Sequence, residues 1–219
     1  MKNSIASKIS DFQANRLPDA RDASFDYCFN YFRSFYETND LNRLVAPSQL
    51  EVSCLQLSFY LASWGMLRGS SFLLQKSTMF YIRIVNLISS FDKRIWKIDI
   101  DTYSKETISL LLSFASALAD TLRPYRPSDT LTTKIMLGVF GIVPAFDQYF
   151  KNGMGITTFN EKTLLALHNF YECNRAEIDS INIKTLEFGS GTETTRVYTK
   201  AKLIDMFGFI VGYDKLRQK

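Results

Sequence analysis

The sequence predicts an all-α protein, a compact orthogonal bundle of about seven to nine helices. Three observations support this fold class. The 219 residues include only 10 Gly and 5 Pro, so few positions interrupt a helix. Apolar and aromatic residues recur at intervals of three and four over long segments, which is the period of an amphipathic helix. Hydrophobic residues make up 46% of the chain, which is enough to build a core.

The first half of the chain is predicted as a polar lead-in at 1–19 followed by three helices, within one domain that spans 1–219. The first helix, at 20–38, has an apolar face of aromatic residues: Phe25, Phe29, Phe32 and Tyr36. The second begins near 46–48 and continues one face at helical spacing: Val52, Leu55, Phe59, Ala62 and Met66. A third helix is predicted at 72–88.

The second half begins with 91–101, a segment that alternates loosely and suits a short strand or a loop. Ser104 is the expected N-cap of the next helix. Helices are predicted at 104–122, 130–140, 145–151, from Asn160 onwards and at 199–212. The Gly-Ser-Gly and Thr-rich segment 181–198 is the expected mobile loop. We also expect one short β pair, near 95–100 and 183–198.

Cysteine and histidine are too few to suggest a metal site. Cys28, Cys54 and Cys173 lie far apart, and His168 is the single histidine. A structural zinc site uses four such ligands, so we expect no metal and no cofactor. The P-loop, GxGxxG, GxSxG and HExxH motifs are absent from the sequence.

The amino-terminal residues carry charges throughout, without the apolar stretch of a signal peptide. The longest uncharged apolar-rich run, 135–146, is too short to span a bilayer and contains Gly141 and Pro144. We therefore expect a cytoplasmic protein with no membrane partner. The net charge of +4 is compatible with nucleic acid but does not by itself predict it.

Four charged residues lie among apolar neighbours: Arg68, Lys134, Asp147 and Asp205. A charge on a packed helix is costly unless it is paired or solvated. These groups can satisfy one another in a buried charge network, for example Arg68 with Asp147 or Asp205. The alternative interpretation is a functional cleft that the same side chains line.

The segment 130–150 combines a helix, a Gly/Pro loop and an aspartate near the start of a second helix. This arrangement resembles the catalytic segment of the helix-hairpin-helix DNA glycosylases. The resemblance implies that Asp147 activates the nucleophile or stabilises positive charge on the sugar, and that Lys134 is the candidate for Schiff-base chemistry. The segments 64–75, 138–150 and 202–207 also resemble an uncharacterised bacterial all-helical family, which implies no activity.

Two short stretches interleave cations with aromatic rings, one around Trp96 and one around Tyr125. Their cations are Lys93, Arg94, Lys97, Arg123 and Arg126. Because cations neutralise phosphates and aromatic rings stack on bases, these residues are candidates for binding DNA or RNA. Such stretches are also typical of solvated loops whose aromatic side chain packs into the core.

These patterns favour a non-catalytic helical binding module that acts on nucleic acid or on a protein partner. The first alternative is a glycosylase-like enzyme that uses Asp147. The second alternative is a subunit of a larger assembly, suggested by the abundance of aromatic residues. The enzyme requires Asp147 to be exposed in a cleft flanked by Lys or Arg, whereas a binding module tolerates it buried in a salt bridge. The assembly requires a sizeable exposed apolar patch.

Overall fold

A computed structural model describes residues 4–14 and 16–217 of the chain. Over these residues it contains ten α-helices and one two-stranded antiparallel sheet, which confirms the mainly α fold with a short β pair. The helices are α1 (Ile5–Gln13), α2 (Ala23–Glu37), α3 (Leu50–Ser63), α4 (Ile82–Ser90), α5 (Lys105–Thr121), α6 (Asp129–Phe140), α7 (Gln148–Met154), α8 (Glu161–Cys173), α9 (Arg175–Asp179) and α10 (Lys200–Arg217). None of these helices is long and apolar enough to cross a membrane.

Short 3-10 helices connect the α-helices at five places in the described part of the chain. They lie at Leu41–Val45, Phe72–Gln75, Thr78–Tyr81, Lys93–Lys97 and Ile100–Thr102. The continuous helix predicted at 72–88 is therefore wrong, because two 3-10 turns precede α4. The strand proposed near 95–100 is also wrong. The side chains of Asp92 and Asp99 accept backbone N–H groups there and initiate 3-10 turns.

Both strands lie within 181–198, the segment that was predicted as a mobile loop and as one half of the β pair. Strands β1 (Lys184–Leu186) and β2 (Glu193–Val197) form an antiparallel hairpin. The hairpin is attached to α2, because Leu186 donates its N–H to Asp26 Oδ2 at 3.1 Å and accepts from Asn30 Nδ2 at 2.9 Å. Pairing with a helix side chain satisfies backbone groups at the hairpin edge.

Helix α6 lies at the centre of the core, since every residue from 131 to 140 is buried. Ser128 caps its first turn, and Gly141 ends it with a left-handed backbone conformation, φ 72°. Phe140 packs edge to face against Trp96 and Phe114, with ring centroids 4.5 and 5.1 Å apart. A helix buried on all sides carries any charged residue it contains into the interior.

Helix α10, the last helix of the described chain, packs against both α7 and the first helix, α1. It crosses α7 at close range, where Gly153 faces Gly208 and Gly212. On another side it packs against α1, and the Lys8 ammonium lies 2.6 Å from Asp214. The predicted lead-in is therefore in part a helix that is docked on the core, with Ile5 and Ile9 buried.

Candidate functional site

The first feature of the site is a buried ion pair between α6 and the start of α7. Lys134 is 4% exposed, and its Nζ lies 3.3 Å from Asp147 Oδ2. Burial lowers the pKa of Lys134 from the ordinary lysine value, and the carboxylates of Asp147 and Asp205 partly offset this effect. The pair forms because α6 carries the lysine inward while the loop at 141–146 brings Asp147 back towards it.

Asp147 also has a structural task at the N-terminus of α7. Its Oδ1 accepts the backbone N–H of Phe150 at 3.0 Å, which is the bond of an N-cap residue. Both carboxylate oxygens therefore have partners, one on the backbone and one on Lys134. The helix predicted at 145–151 begins later than expected, because Asp147 is its cap.

A second ion pair lies close to the first. Lys202 and Asp205, three residues apart on α10, are both buried, with Nζ and Oδ2 3.0 Å apart. Asp205 Oδ1 accepts the N–H of Ala145 at 2.9 Å and so holds the loop that precedes Asp147. The Trp64 ring lies beside both lysines, with its centroid 5.2 Å from Lys134 Nζ and 5.4 Å from Lys202 Nζ.

Arg68 does not belong to the buried network that the sequence suggested. Its side chain is exposed, and the two carboxylates pair with lysines instead. The turn after α3 explains its position: Gly65 has φ +76°, and a Cβ at this glycine would lie 2.8 Å from Arg68 Nε. The guanidinium therefore rests against the Gly65 backbone at the protein surface.

Around Lys134 and Asp147 the surface forms a cleft of about 260 Å³. Its charged and aromatic lining comes from Arg21, Trp64, Arg68, Lys134, Asp147, Tyr149 and Phe209. The structure thus brings together three of the residues predicted from sequence, with Asp205 directly behind them. Three cations face one carboxylate in this cleft, so its lining has an excess of positive charge.

The basic stretch around Trp96 offers cations without an accessible ring. Lys93, Arg94 and Lys97 are exposed, and Arg94 is paired with Asp92 at 2.7 Å and with Glu106 at 3.1 Å. Trp96 itself is buried and stacks on a tyrosine of α2. The ring is therefore part of the core.

The basic stretch around Tyr125 differs in that its ring is half-buried and lies outside the core. Arg123 and Arg126 are exposed, and Arg123 pairs with Asp120 at 2.8 Å, whereas Tyr125 stacks on Phe72 with centroids 4.7 Å apart. The two basic stretches flank opposite ends of α5, whose 17 residues span about 25 Å. The structure does not bring them together into one basic patch.

A second candidate surface is the outer face of α3. Four residues of the apolar face predicted from sequence form an exposed stripe, Val52, Leu55, Phe59 and Ala62, and Phe59 is 69% exposed. The fifth, Met66, is half-buried against the core. The buried face of α3 is the other one: Ser53, Cys54, Leu57, Tyr60 and Leu61. Beside the stripe, an apolar groove of about 510 Å³ is bordered by Leu67, Tyr27 and Phe188 at the hairpin tip.

Sequence reasoning missed Lys202 and Trp64. The signal for Lys202 was its spacing of three from Asp205, which places both charges on one face of a helix among apolar residues. Trp64 gave no comparable signal, because a tryptophan at the end of an apolar helix usually packs in the hydrophobic core. Within the described residues no group of three or more His, Cys, Asp or Glu side chains is arranged to hold a metal. Cys28 and Cys54 are buried, whereas Cys173 is exposed.

Comparison with known proteins adds no assignment to this geometry. The chain matches no protein-family model, no curated protein and no solved structure.

Proposed function

We propose that the chain is a non-catalytic helical binding module whose partner is a protein, and that this partner is a second copy of the chain docked through α3. The observation that carries the proposal is the exposed apolar stripe on α3. Isolated exposed apolar residues are normal, but a contiguous apolar face beside a groove is typical of an interaction site.

The stripe has the geometry of a helix–helix seam. Its residues follow one another at intervals of three, four and three, which is the a/d spacing of a coiled coil. Helix α3 thus has an apolar face on the core side and another on the solvent side. Helices that are apolar all round belong in interiors, and a second copy would complete such an interior around α3.

The charges of α3 favour antiparallel self-association. Glu51, at the first turn, is the single charged residue of this helix. A parallel pair would place two copies of Glu51 side by side, whereas an antiparallel pair places them at opposite ends. An antiparallel two-fold axis near the centre of α3 also sets Leu55 against the partner's Phe59, and the reverse.

The other functions receive less support from the geometry. Nucleic acid would meet two separate basic stretches, of which one has its ring, Trp96, buried in the core and the other has its ring, Tyr125, half-buried against Phe72. A glycosylase-like reaction would need a free carboxylate at Asp147, yet both of its oxygens accept structural hydrogen bonds. The exposed stripe, in contrast, has no structural task within the described fold.

The test measures the mass of the purified chain in solution by analytical ultracentrifugation. We expect a dimer for the wild type and a monomer for Leu55→Lys and for Phe59→Glu, because a charge on the seam opposes burial. Mixing the two variants should restore a dimer, since an antiparallel seam brings the introduced lysine against the introduced glutamate.

Met79→Ser is the matched control, because Met79 is 74% exposed and lies outside α3. It should dimerise like the wild type. A wild type that stays monomeric at all concentrations would overturn the proposal. A dimer that survives both charge substitutions would place the interface elsewhere.

A further inference from the structure

We infer that the cleft around Lys134 is a binding site for a phosphate group, either free or as part of a small phosphomonoester. Two observations lead to this site: buried hydrogen-bond donors that lack acceptors, and an excess of positive charge around them. The inference concerns a different surface from the seam on α3 and does not depend on the proposed function.

The first observation is the supply of donors. The Lys134 ammonium has three N–H groups, and among the described residues its acceptor is Asp147 Oδ2 at 3.3 Å. With 4% of the residue exposed, bulk water satisfies little of the remainder. In the same lining, Trp64 Nε1 is buried without an acceptor in the described part of the chain. A buried donor without an acceptor raises the free energy of the folded protein. An acceptor bound in the cleft would remove this cost.

The second observation is charge. Arg21 and Arg68 border the cleft on its outer side, and Lys134 lies at its inner side, against the single carboxylate of Asp147. Arg21 Nε lies 3.7 Å from Asp22 Oδ1, which is too far for a hydrogen bond. Lys202, behind the Trp64 ring, is balanced by Asp205 and contributes no excess.

The identity of the donors points to phosphate. Two guanidinium groups and one ammonium provide forked and single donors, the combination that a tetrahedral oxyanion accepts. The three cations and one carboxylate of the lining leave two positive charges in excess. A phosphate dianion would neutralise both, whereas a carboxylate ligand would neutralise only one. Gly65 lets the Arg68 guanidinium lie close to the backbone, because a Cβ there would approach Arg68 Nε to 2.8 Å and force it to shift.

The size and the crowding of the cleft limit the ligand. About 260 Å³ admits a phosphate group with a small substituent. Three cations already lie against the Trp64 ring, with Arg21 the closest at 4.9 Å. They obstruct the stacking of a nucleobase on this ring, so recognition rests on the phosphate.

The experiment titrates the full chain with inorganic phosphate, phenyl phosphate and acetate by calorimetry, and follows the indole N–H resonance of Trp64 by NMR. We expect saturable binding of phosphate, a shift of that resonance, and much weaker binding of acetate. Tighter binding of phenyl phosphate would identify a phosphomonoester as the ligand, and equal binding would identify free phosphate.

Arg68→Gln is the test variant, because Arg68 is exposed and its replacement leaves the core intact. We expect it to weaken phosphate binding by about tenfold or more through loss of a charged fork. Lys97→Gln, an exposed cation elsewhere on the surface, should change it less than about twofold, as expected for a screened distant charge. The inference is overturned if neither phosphate compound binds, or if both variants weaken binding equally.

Discussion

At the scale of single residues, the Lys134–Asp147 pair should stabilise the fold. Asp147→Asn keeps an oxygen that can cap α7, but it leaves the buried Lys134 ammonium without its counter-charge. We expect the free energy of unfolding to fall by about 1–3 kcal/mol, below the full cost of breaking a buried pair because Asp147 is partly exposed. Urea unfolding followed by circular dichroism measures this change.

The double variant Lys134→Met/Asp147→Asn serves as the control for that experiment. It removes both charges, so its loss of stability should be smaller than the sum of the losses measured for Asp147→Asn and for Lys134→Met separately. Wild-type stability in Asp147→Asn alone would show that the pair is not structural and would reopen a chemical role for this carboxylate.

Asp99 should make stability depend on pH. Burial raises its pKa to about 6, against the opposing effect of the N–H groups donated by Ile100, Lys200 and Ala201. Between pH 4 and 6 the folded protein then holds a proton that the unfolded chain releases. The free energy of unfolding should therefore fall by roughly 1–3 kcal/mol as pH rises through this window.

Comparison with Asp99→Asn isolates this effect, because the variant has no carboxyl group to titrate at this position. The wild type should lose stability relative to the variant between pH 4 and 6 and run parallel to it above pH 7. The opposite slope would mean that the three N–H donors outweigh burial and that Asp99 is ionised in the folded protein.

At the level of residues, the sequence identified the charged side chains in apolar surroundings but not which of them are buried. Lys134, Asp147 and Asp205 were recognisable because apolar residues surround them, and all three take part in the two ion pairs. Arg68 has similar neighbours, yet it lies on a glycine-containing turn that carries it to the surface. Apolar neighbours in sequence become apolar neighbours in space only within a packed helix.

At the scale of elements, the crossing of α7 and α10 depends on glycine. A Cβ at Gly212 would overlap the carbonyl oxygen of Tyr149. Gly212→Ala should therefore lower the free energy of unfolding by about 1–3 kcal/mol through overpacking, despite the better helix propensity of alanine. Thermal unfolding measures the effect.

Gly189→Ala is the matched control for this substitution. The Cβ added there would meet only the flexible carboxylate of Glu187, at 3.3 Å, so we expect a change within about 0.5 kcal/mol. Equal losses from the two substitutions would contradict the claim that the crossing requires glycine.

Among the elements, capped helices were the most predictable. Ser104 caps α5 as expected, and Asn160, where a helix was expected to start, caps α8, because the cap is a local hydrogen bond that the sequence itself specifies. Helix α3 shows the limit of this reasoning. Both of its faces repeat apolar residues at helical spacing, so periodicity alone cannot say which face meets the core. The hairpin was predicted only in part: one strand was placed within 183–198, but its partner was placed near 95–100 instead of in the same segment.

At the scale of the whole molecule, the amino-terminal helix should count as part of the fold. Ile9 is 2% exposed, whereas Leu17, a few residues later, is 60% exposed. Ile9→Ala should lower the free energy of unfolding by about 2–4 kcal/mol because it opens a cavity next to the core. Leu17→Ala should leave it nearly unchanged, and chemical unfolding of both variants provides the comparison. A loss of stability for Leu17→Ala alone would contradict the docking of α1.

The contact between α1 and α10 has a consequence for how the protein is made. During synthesis domains fold as their residues leave the ribosome, at about 5–20 residues per second. Helix α1, with Ile5 and Ile9 buried in the folded protein, emerges well before α10, against which it packs. The nascent chain therefore carries an uncovered apolar helix until α10 has been synthesised. Until α10 is made, we expect α1 to be recognised by chaperones that bind exposed apolar segments.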